Sequence, residues 1–69
     1  SLTYKQGHKG DIIKSYQEIL IRLGYLDGTA SGTYDKNTTA AVKQYQTDKG
    51  LTVSGNIDEK TAKSLDTEN

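Results

Sequence analysis

Few side chains in this sequence could carry out catalysis, and their spacing does not favour it. His8 is the single histidine and there is no cysteine, so no second imidazole or thiol can join it on a metal or in a catalytic triad. Asp35 and Asp58 could serve as an acid–base pair, but each directly precedes a helical pattern, the position typical of an N-cap. A capping carboxylate has a lowered pKa and is a poor general acid. The sequence therefore predicts a chain that is not an enzyme and needs no cofactor or metal.

Tyrosine is the residue type that most favours ligand binding. The chain has five tyrosines and no other aromatic residue. Tyr16 and Tyr45 fall on apolar helix faces and are expected in the core. Tyr25 and Tyr34 flank a glycine-rich loop, where an aromatic face can stack on a sugar ring and the hydroxyl can meet its polar groups. Tyr34 could also act as a hydrophobic staple for the following helix, and for Tyr25 both roles stay open.

These tyrosines predict a binding groove between loop 25–34 and the start of the next helix. Polar groups that converge beside aromatic faces are what a sugar or a short peptide needs. Gln17 and Gln46 each follow a core tyrosine, and their amides could either tie a helix to loop backbone or contact a ligand. The candidate ligand-binding residues are Tyr25, Asp27, Ser31, Tyr34, Asn37 and Gln46.

Three helices are expected to position this groove, at about 12–23, 36–48 and 59–65. Each has an aspartate before it, and glycine follows the first two. In the first helix six residues should share the buried face: Ile12, Ile13, Tyr16, Ile19, Leu20 and Leu23. Three more should close the core from the second loop: Leu51, Val53 and Ile57. Residues 1–10 are interpreted as an entry loop.

Two segments of the chain repeat one helix-start pattern. Residues 32–42 and 55–65 both carry a glycine, an apolar residue, an aspartate, a threonine and an aliphatic residue at the same spacing. In each, the threonine three residues after the cap could complete a capping box. We expect one domain over residues 1–69, all-α, a small three-helix bundle with long ordered loops and an internal pseudo-repeat.

Composition narrows the possible partners. Nine basic and nine acidic residues give a net charge of zero, so no basic surface is available for nucleic acid or an anionic membrane. No apolar run approaches the roughly 18 residues of a membrane span. There is no signal peptide, and the abrupt start at Ser1 leads us to expect a module of a longer protein.

The ordered glycines, tyrosines and glutamines resemble those of the peptidoglycan-binding domain of bacterial cell-wall hydrolases. The residues that carry the resemblance are Gly7-x-x-Gly10-Asp11, Tyr16-Gln17, Leu23-Gly24-Tyr25, Gly28-x-x-Ser31-Gly32-x-Tyr34-x-x-x-Thr38, Ala41-Val42-x-x-Tyr45-Gln46 and Gly50-Leu51-x-x-Ser54-Gly55-x-Ile57-x-x-x-Thr61. The family usually has aspartate where this chain has Ser31 and Ser54, so two carboxylates are missing here.

The resemblance implies a non-catalytic module that targets a linked hydrolase to peptidoglycan. It implies as partners the glycan strands or stem peptides of the wall and the catalytic domain of the parent protein. It also implies an extracellular or cell-wall location, and we expect a monomer. The alternative is a protein-interaction or autoinhibitory module that docks on its own catalytic domain. That role needs an apolar surface patch, for which Ile21 is the visible starting point.

Overall fold

The computed structural model describes residues 3–68 and contains three α-helices. They are α1 (Asp11–Leu23), α2 (Lys36–Lys49) and α3 (Glu59–Thr67). The all-α, three-helix prediction is confirmed, and each predicted helix boundary lies within two residues of the observed one. Long loops connect the helices, and the described residues form two isolated β-bridges, one between Tyr4 and Ile57 and one between Lys9 and Thr33.

The second and third helices begin as their sequences predict. Asp35 and Asp58 are N-caps, and their carboxylates accept hydrogen bonds from the backbone N–H groups of Thr38 at 2.9 Å and Thr61 at 2.8 Å. The threonine hydroxyl has a different role from the one a capping box assigns to it. The hydroxyl of Thr38 donates to the Asp35 carboxylate at 3.0 Å instead of accepting from the cap's backbone N–H.

The first helix begins at Asp11, one residue earlier than predicted. Gly10 is the N-cap and makes no side-chain cap, so the prediction of Asp11 as the capping residue is wrong. The carbonyl of Gly10 accepts from the N–H of Lys14 at 3.1 Å. Asp11 instead lies in the first turn, where its carboxylate still interacts favourably with the helix dipole. The predicted helix-ending glycines, Gly24 and Gly50, are both C-caps.

The core is a single apolar cluster between the helices and the loops. Its buried members are Ile13, Ile19, Leu20, Leu26, Tyr34, Ala41, Val42, Tyr45, Ile57 and Leu65. For two residues the prediction of burial is wrong. Ile12 is 55% exposed because it projects from the first turn of α1, and Val53 is 51% exposed on the second loop. Ile21, named above as the start of an apolar surface patch, is half-buried and packs against the cluster.

Two buried glutamines organise the loops. The amide of Gln17 donates to the carbonyl of Thr33 at 2.8 Å and to the hydroxyl of Thr38 at 2.9 Å, and its oxygen accepts from the N–H of Gly32 at 2.7 Å. These contacts link α1 to the turn that leads into α2 and to the first turn of α2 itself. Because water cannot reach this amide, the loop polar groups depend on it for their hydrogen bonds.

Gln46 repeats this arrangement one helix later. Its amide donates to the carbonyl of Asn56 at 2.9 Å and to the hydroxyl of Thr61 at 3.1 Å. Its oxygen accepts from the N–H groups of Ser54 at 2.9 Å and Gly55 at 3.0 Å. The pseudo-repeat in the sequence is therefore a repeat of one structural unit: a helix glutamine, a turn and the capped start of the next helix.

The N-terminal segment, residues 4–10, joins the two units. Tyr4 and Ile57 exchange backbone hydrogen bonds at 2.9 and 2.8 Å. Tyr34, which precedes its cap as Ile57 does, accepts from the N–H of Gly7 at 2.9 Å and donates its own N–H to the carbonyl of His8 at 2.8 Å. The predicted entry loop is thus an ordered strap across both helix starts.

The caps lead to a prediction about stability. Asp35→Ala and Asp58→Ala should each lower the free energy of unfolding by about 1 kcal/mol, because one helix N–H loses its acceptor. Asp35→Ala should cost more, since α2 has 14 residues and α3 has nine. Urea titration of both variants and the wild type measures the effect. Three curves with the same midpoint would contradict these helix starts.

The same carboxylates predict how stability depends on pH. The hydrogen bonds from the N–H groups of Thr38 and Thr61 lower the pKa values of Asp35 and Asp58 below the ordinary 3.8. A lowered folded-state pKa stabilises the fold at pH above 3.8, and this contribution is lost as the pH falls from there towards the folded-state value. Melting temperature should therefore fall below about pH 4, and less steeply in the Asp35→Ala variant.

Candidate functional site

A surface groove of about 420 Å³ lies between the loop after α1 and the N-terminal half of α2. The loop contributes one wall, and the helix contributes the other because its residues three, four and seven positions apart share a face. The lining residues are Tyr25, Leu26, Asp27, Asn37, Ala40, Ala41 and Gln44. Leucine and alanine side chains form an apolar floor, and the remaining side chains give the groove a polar rim.

Tyr25 is held in a defined orientation at one end of the groove. Its hydroxyl donates to the Asp48 carboxylate at 2.8 Å, and its ring meets the buried ring of Tyr45 edge-on, with centroids 5.5 Å apart. The hydrogen bond to Asp48 raises the pKa of Tyr25 above 10.0, so the phenol stays protonated at neutral pH. A half-buried ring fixed in this way offers a stacking surface at a small cost in conformational entropy.

Asp48 also positions the opposite wall. The amide of Gln44 donates to its second carboxylate oxygen at 3.3 Å. Asp48 lies one helical turn after Gln44, and Asn37 lies two turns before Gln44, so all three share one face of α2. Sequence reasoning missed Gln44 and Asp48. Their positions could have indicated them, because Gln44 lies seven residues after Asn37 and Asp48 lies four residues after Gln44.

The six predicted binding residues divide into two groups. Tyr25, Asp27 and Asn37 line the groove together. Ser31 lies outside it, and its hydroxyl accepts from the N–H of Thr33 at 3.2 Å in its own turn. Tyr34 and Gln46 are buried, with exposures of 1% and 0%.

The buried pair has structural roles. The hydroxyl of Tyr34 donates to the carbonyl of Gly55 at 2.6 Å, which connects the two repeated turns. Burial raises the pKa of the Tyr34 phenol far above its ordinary value. Of the two roles left open for Gln46, the structure shows the tie between helix and loop. Neither side chain is exposed to meet a ligand.

Three further observations concern metal binding, the single histidine and membrane-spanning helices. Among residues 3–68, no group of three or more histidine, aspartate and glutamate side chains could hold a metal ion. The ring nitrogen Nδ1 of His8 accepts from the backbone N–H of Lys5 at 3.3 Å within the N-terminal strap. None of the helices seen in this part of the chain is long and apolar enough to cross a membrane.

A three-helix fold with a polar-rimmed surface groove, and with Asp35 and Asp58 used as helix caps, is typical of a small binding module. Residues 9–65 match the family described as "Putative peptidoglycan binding domain". The chain belongs to this peptidoglycan-binding domain family.

Solved structures agree with this assignment. The N-terminal domain of SleB superposes with a TM-score of 0.91 at 25% identity, over 99% of this chain and 94% of that one. An endolysin of the Burkholderia phage AP3 gives a TM-score of 0.87 at 26% identity, over 99% of this chain and 26% of the endolysin. The fold is thus similar to a whole domain in the first case and to part of a larger protein in the second.

A longer curated relative contains a segment similar to this sequence. A Staphylococcus epidermidis protein described as "Probable CtpA-like serine protease" is 37% identical over 59 residues, which cover 86% of this chain. The chain spans 12% of the length of that relative.

Proposed function

We propose that this chain is a non-catalytic module that holds a linked cell-wall hydrolase on peptidoglycan through the groove between Tyr25 and Gln44. Family membership supports peptidoglycan as the ligand. The observation that carries the location is the groove itself, where an oriented tyrosine faces amide and carboxylate groups across an apolar floor. Ligand sites combine apolar area with a few placed polar groups in this way.

The gain from such a module is effective concentration. Tethering an enzyme to its polymeric substrate makes the next encounter intramolecular, so even weak binding by the module raises the local substrate concentration. Because the chain has no net charge, binding should depend on short-range contacts and persist at moderate salt. We infer as further partner the catalytic domain of the parent protein, and as location the cell wall or the extracellular space, with the module acting as a monomer.

Two matched tyrosine substitutions test the position of the groove. Tyr25 and Tyr16 are both half-buried, and each ring packs on another tyrosine, with centroids 5.5 and 5.8 Å apart. An aspartate also raises the pKa of each, Asp48 for Tyr25 and, after burial, Asp66 for Tyr16. Tyr25→Ala and Tyr16→Ala should therefore destabilise the fold to a similar extent, by about 1 to 3 kcal/mol.

Only Tyr25→Ala should also weaken binding to the wall, by roughly tenfold or more, since truncating an aromatic contact residue commonly costs more than 1 kcal/mol of binding. Melting and co-sedimentation with insoluble peptidoglycan are measured on the same samples. Loss of binding in Tyr16→Ala with full binding in Tyr25→Ala would place the site instead at the apolar hollow bordered by Tyr4 and Ile12.

A further inference from the structure

The groove has a negative charge that the proposed function does not by itself explain. Of the seven lining residues, Asp27 carries a carboxylate and none carries a positive charge. A second carboxylate, that of Asp48, lies at the rim, because it accepts from both Tyr25 and Gln44. The groove therefore carries two carboxylates, although the net charge of the whole chain is zero.

Two of the three lysines of α2 are held by other contacts. Lys49 is paired with the carboxylate of Glu68 at 3.0 Å, and its ammonium lies 5.9 Å from the centroid of the Tyr45 ring. The aliphatic part of Lys43 lies against the turn at Gly55. No lysine, Lys36 included, lines the groove, and the salt bridges of the described residues do not involve Asp27 or Asp48, so both carboxylates are available to a positively charged ligand.

The remaining lining groups fit the other parts of such a ligand. The floor of Leu26, Ala40 and Ala41 can pack against methylene groups. The amides of Asn37 and Gln44 can each donate and accept, as a peptide group requires. The ring of Tyr25 beside Asp48 adds an aromatic face, which attracts a cation as well as a sugar.

We infer that the groove binds a primary ammonium group on an aliphatic side chain, as in the diamino acid of a peptidoglycan stem peptide. The inference rests on the proposed function, since it names the part of peptidoglycan that this groove recognises. A carboxylate ligand is disfavoured because Asp27 in the lining and Asp48 at the rim carry the same charge. A sugar amine would present the same charge, but its hydroxyl-covered ring would leave the apolar floor without a partner.

Chemical modification of the wall separates this inference from the proposed function. One preparation of insoluble peptidoglycan is divided into untreated material, material with its amines acetylated, and material with its carboxylates converted to amides. We expect acetylation to weaken co-sedimentation at least about tenfold, the loss that a charge-assisted hydrogen bond of 1.5 to 3 kcal/mol implies. Amidation should leave binding unchanged or stronger. Equal binding to untreated and acetylated wall would overturn the inference and leave the function standing, whereas no binding to untreated wall would remove the function itself.

Soluble probes identify which amine is read. NMR titration with Nα-acetyl-lysine amide should shift the side-chain amide signals of Asn37 and Gln44, while the Nε-acetylated form and glucosamine should not. The matched variants Asp27→Asn and Asp66→Asn both remove one exposed carboxylate, but only the first lies in the groove. Asp27→Asn should reduce the preference for untreated over acetylated wall several-fold, and Asp66→Asn should retain it. Shifts with glucosamine alone, or an unchanged preference in Asp27→Asn, would contradict recognition of a stem-peptide amine by this groove.

Discussion

Replacing Gln46 by leucine should lower the free energy of unfolding by about 3 to 5 kcal/mol, because several buried groups lose their partners at about 1 to 3 kcal/mol each. The N–H of Gly55 is buried and donates to the Gln46 oxygen at 3.0 Å. The carbonyl of Asn56 and the hydroxyl of Thr61 accept from its nitrogen. Leucine fills a similar volume but can satisfy none of them. A domain of this size is stabilised by only about 3 to 10 kcal/mol, so the variant should be partly or wholly unfolded at room temperature.

Gln44→Leu is the matched control for this prediction. It makes the same chemical change in the same helix, but Gln44 is exposed and its amide makes one hydrogen bond, to Asp48 at 3.3 Å. Its effect on stability should stay within about 0.5 kcal/mol. Urea unfolding followed by circular dichroism measures both variants. If Gln46→Leu proved as stable as Gln44→Leu, the buried amide would not organise the second loop.

Gly55→Ala should have the second largest effect, a loss of about 2 to 4 kcal/mol from left-handed backbone strain and overpacking together. The backbone of Gly55 has φ +81°, where an L-residue is strained. An added Cβ would lie 2.8 Å from Thr39 Cγ2 and 3.3 Å from Lys43 Cγ. Because threonine is stiff at χ1 in a helix, the turn would have to move away from α2. That movement would disturb two hydrogen bonds: the one that the N–H of Gly55 donates to Gln46, and the one that the carbonyl of Gly55 accepts from the hydroxyl of Tyr34.

Gly50→Ala separates the two contributions. Gly50 has φ +71°, but nothing lies within 4 Å of a Cβ added there. Its variant should therefore show the backbone strain alone, about 1 to 2 kcal/mol. Melting temperatures of the two variants, measured side by side, should differ by several degrees. Equal melting temperatures would mean that the close approach of the second loop to α2 contributes nothing to stability.

The helix starts could be predicted from the sequence because their signals are local. Asp35 and Thr38 lie within one turn of each other, so the capping carboxylate and the N–H that donates to it can be identified without knowledge of the fold. The loop ties could not be assigned in the same way. Gln17 contacts Thr38 across 21 residues, and the sequence alone left open whether its amide ties helix to loop or meets a ligand. Burial decides between the two roles, and burial depends on tertiary packing.

The candidate groove could be predicted only in part, because burial also decides which side chains reach it. Tyr25 flanks the glycine-rich loop and Asn37 lies at the start of the next helix, and the structure places both in one groove. Tyr34 seemed equivalent to Tyr25 along the chain, but it points into the core and reaches Gly55. Asp48 was missed because its importance depends on the bond from Tyr25, 23 residues away. Ile12 was expected inside because helical periodicity does not show that nothing covers the first turn of α1.

Co-sedimentation of the 69-residue chain with purified insoluble peptidoglycan tests the central claim most directly. Cellulose and chitin serve as control polymers, and the salt concentration is varied from low to moderate. The chain should pellet with peptidoglycan, stay in solution with both controls, and keep most of its binding at moderate salt, since a chain without net charge gains little from the long-range attraction that salt screens. A chain that stays in the supernatant with walls of several types, even at low salt, would contradict peptidoglycan binding and favour a module that docks on its own catalytic domain.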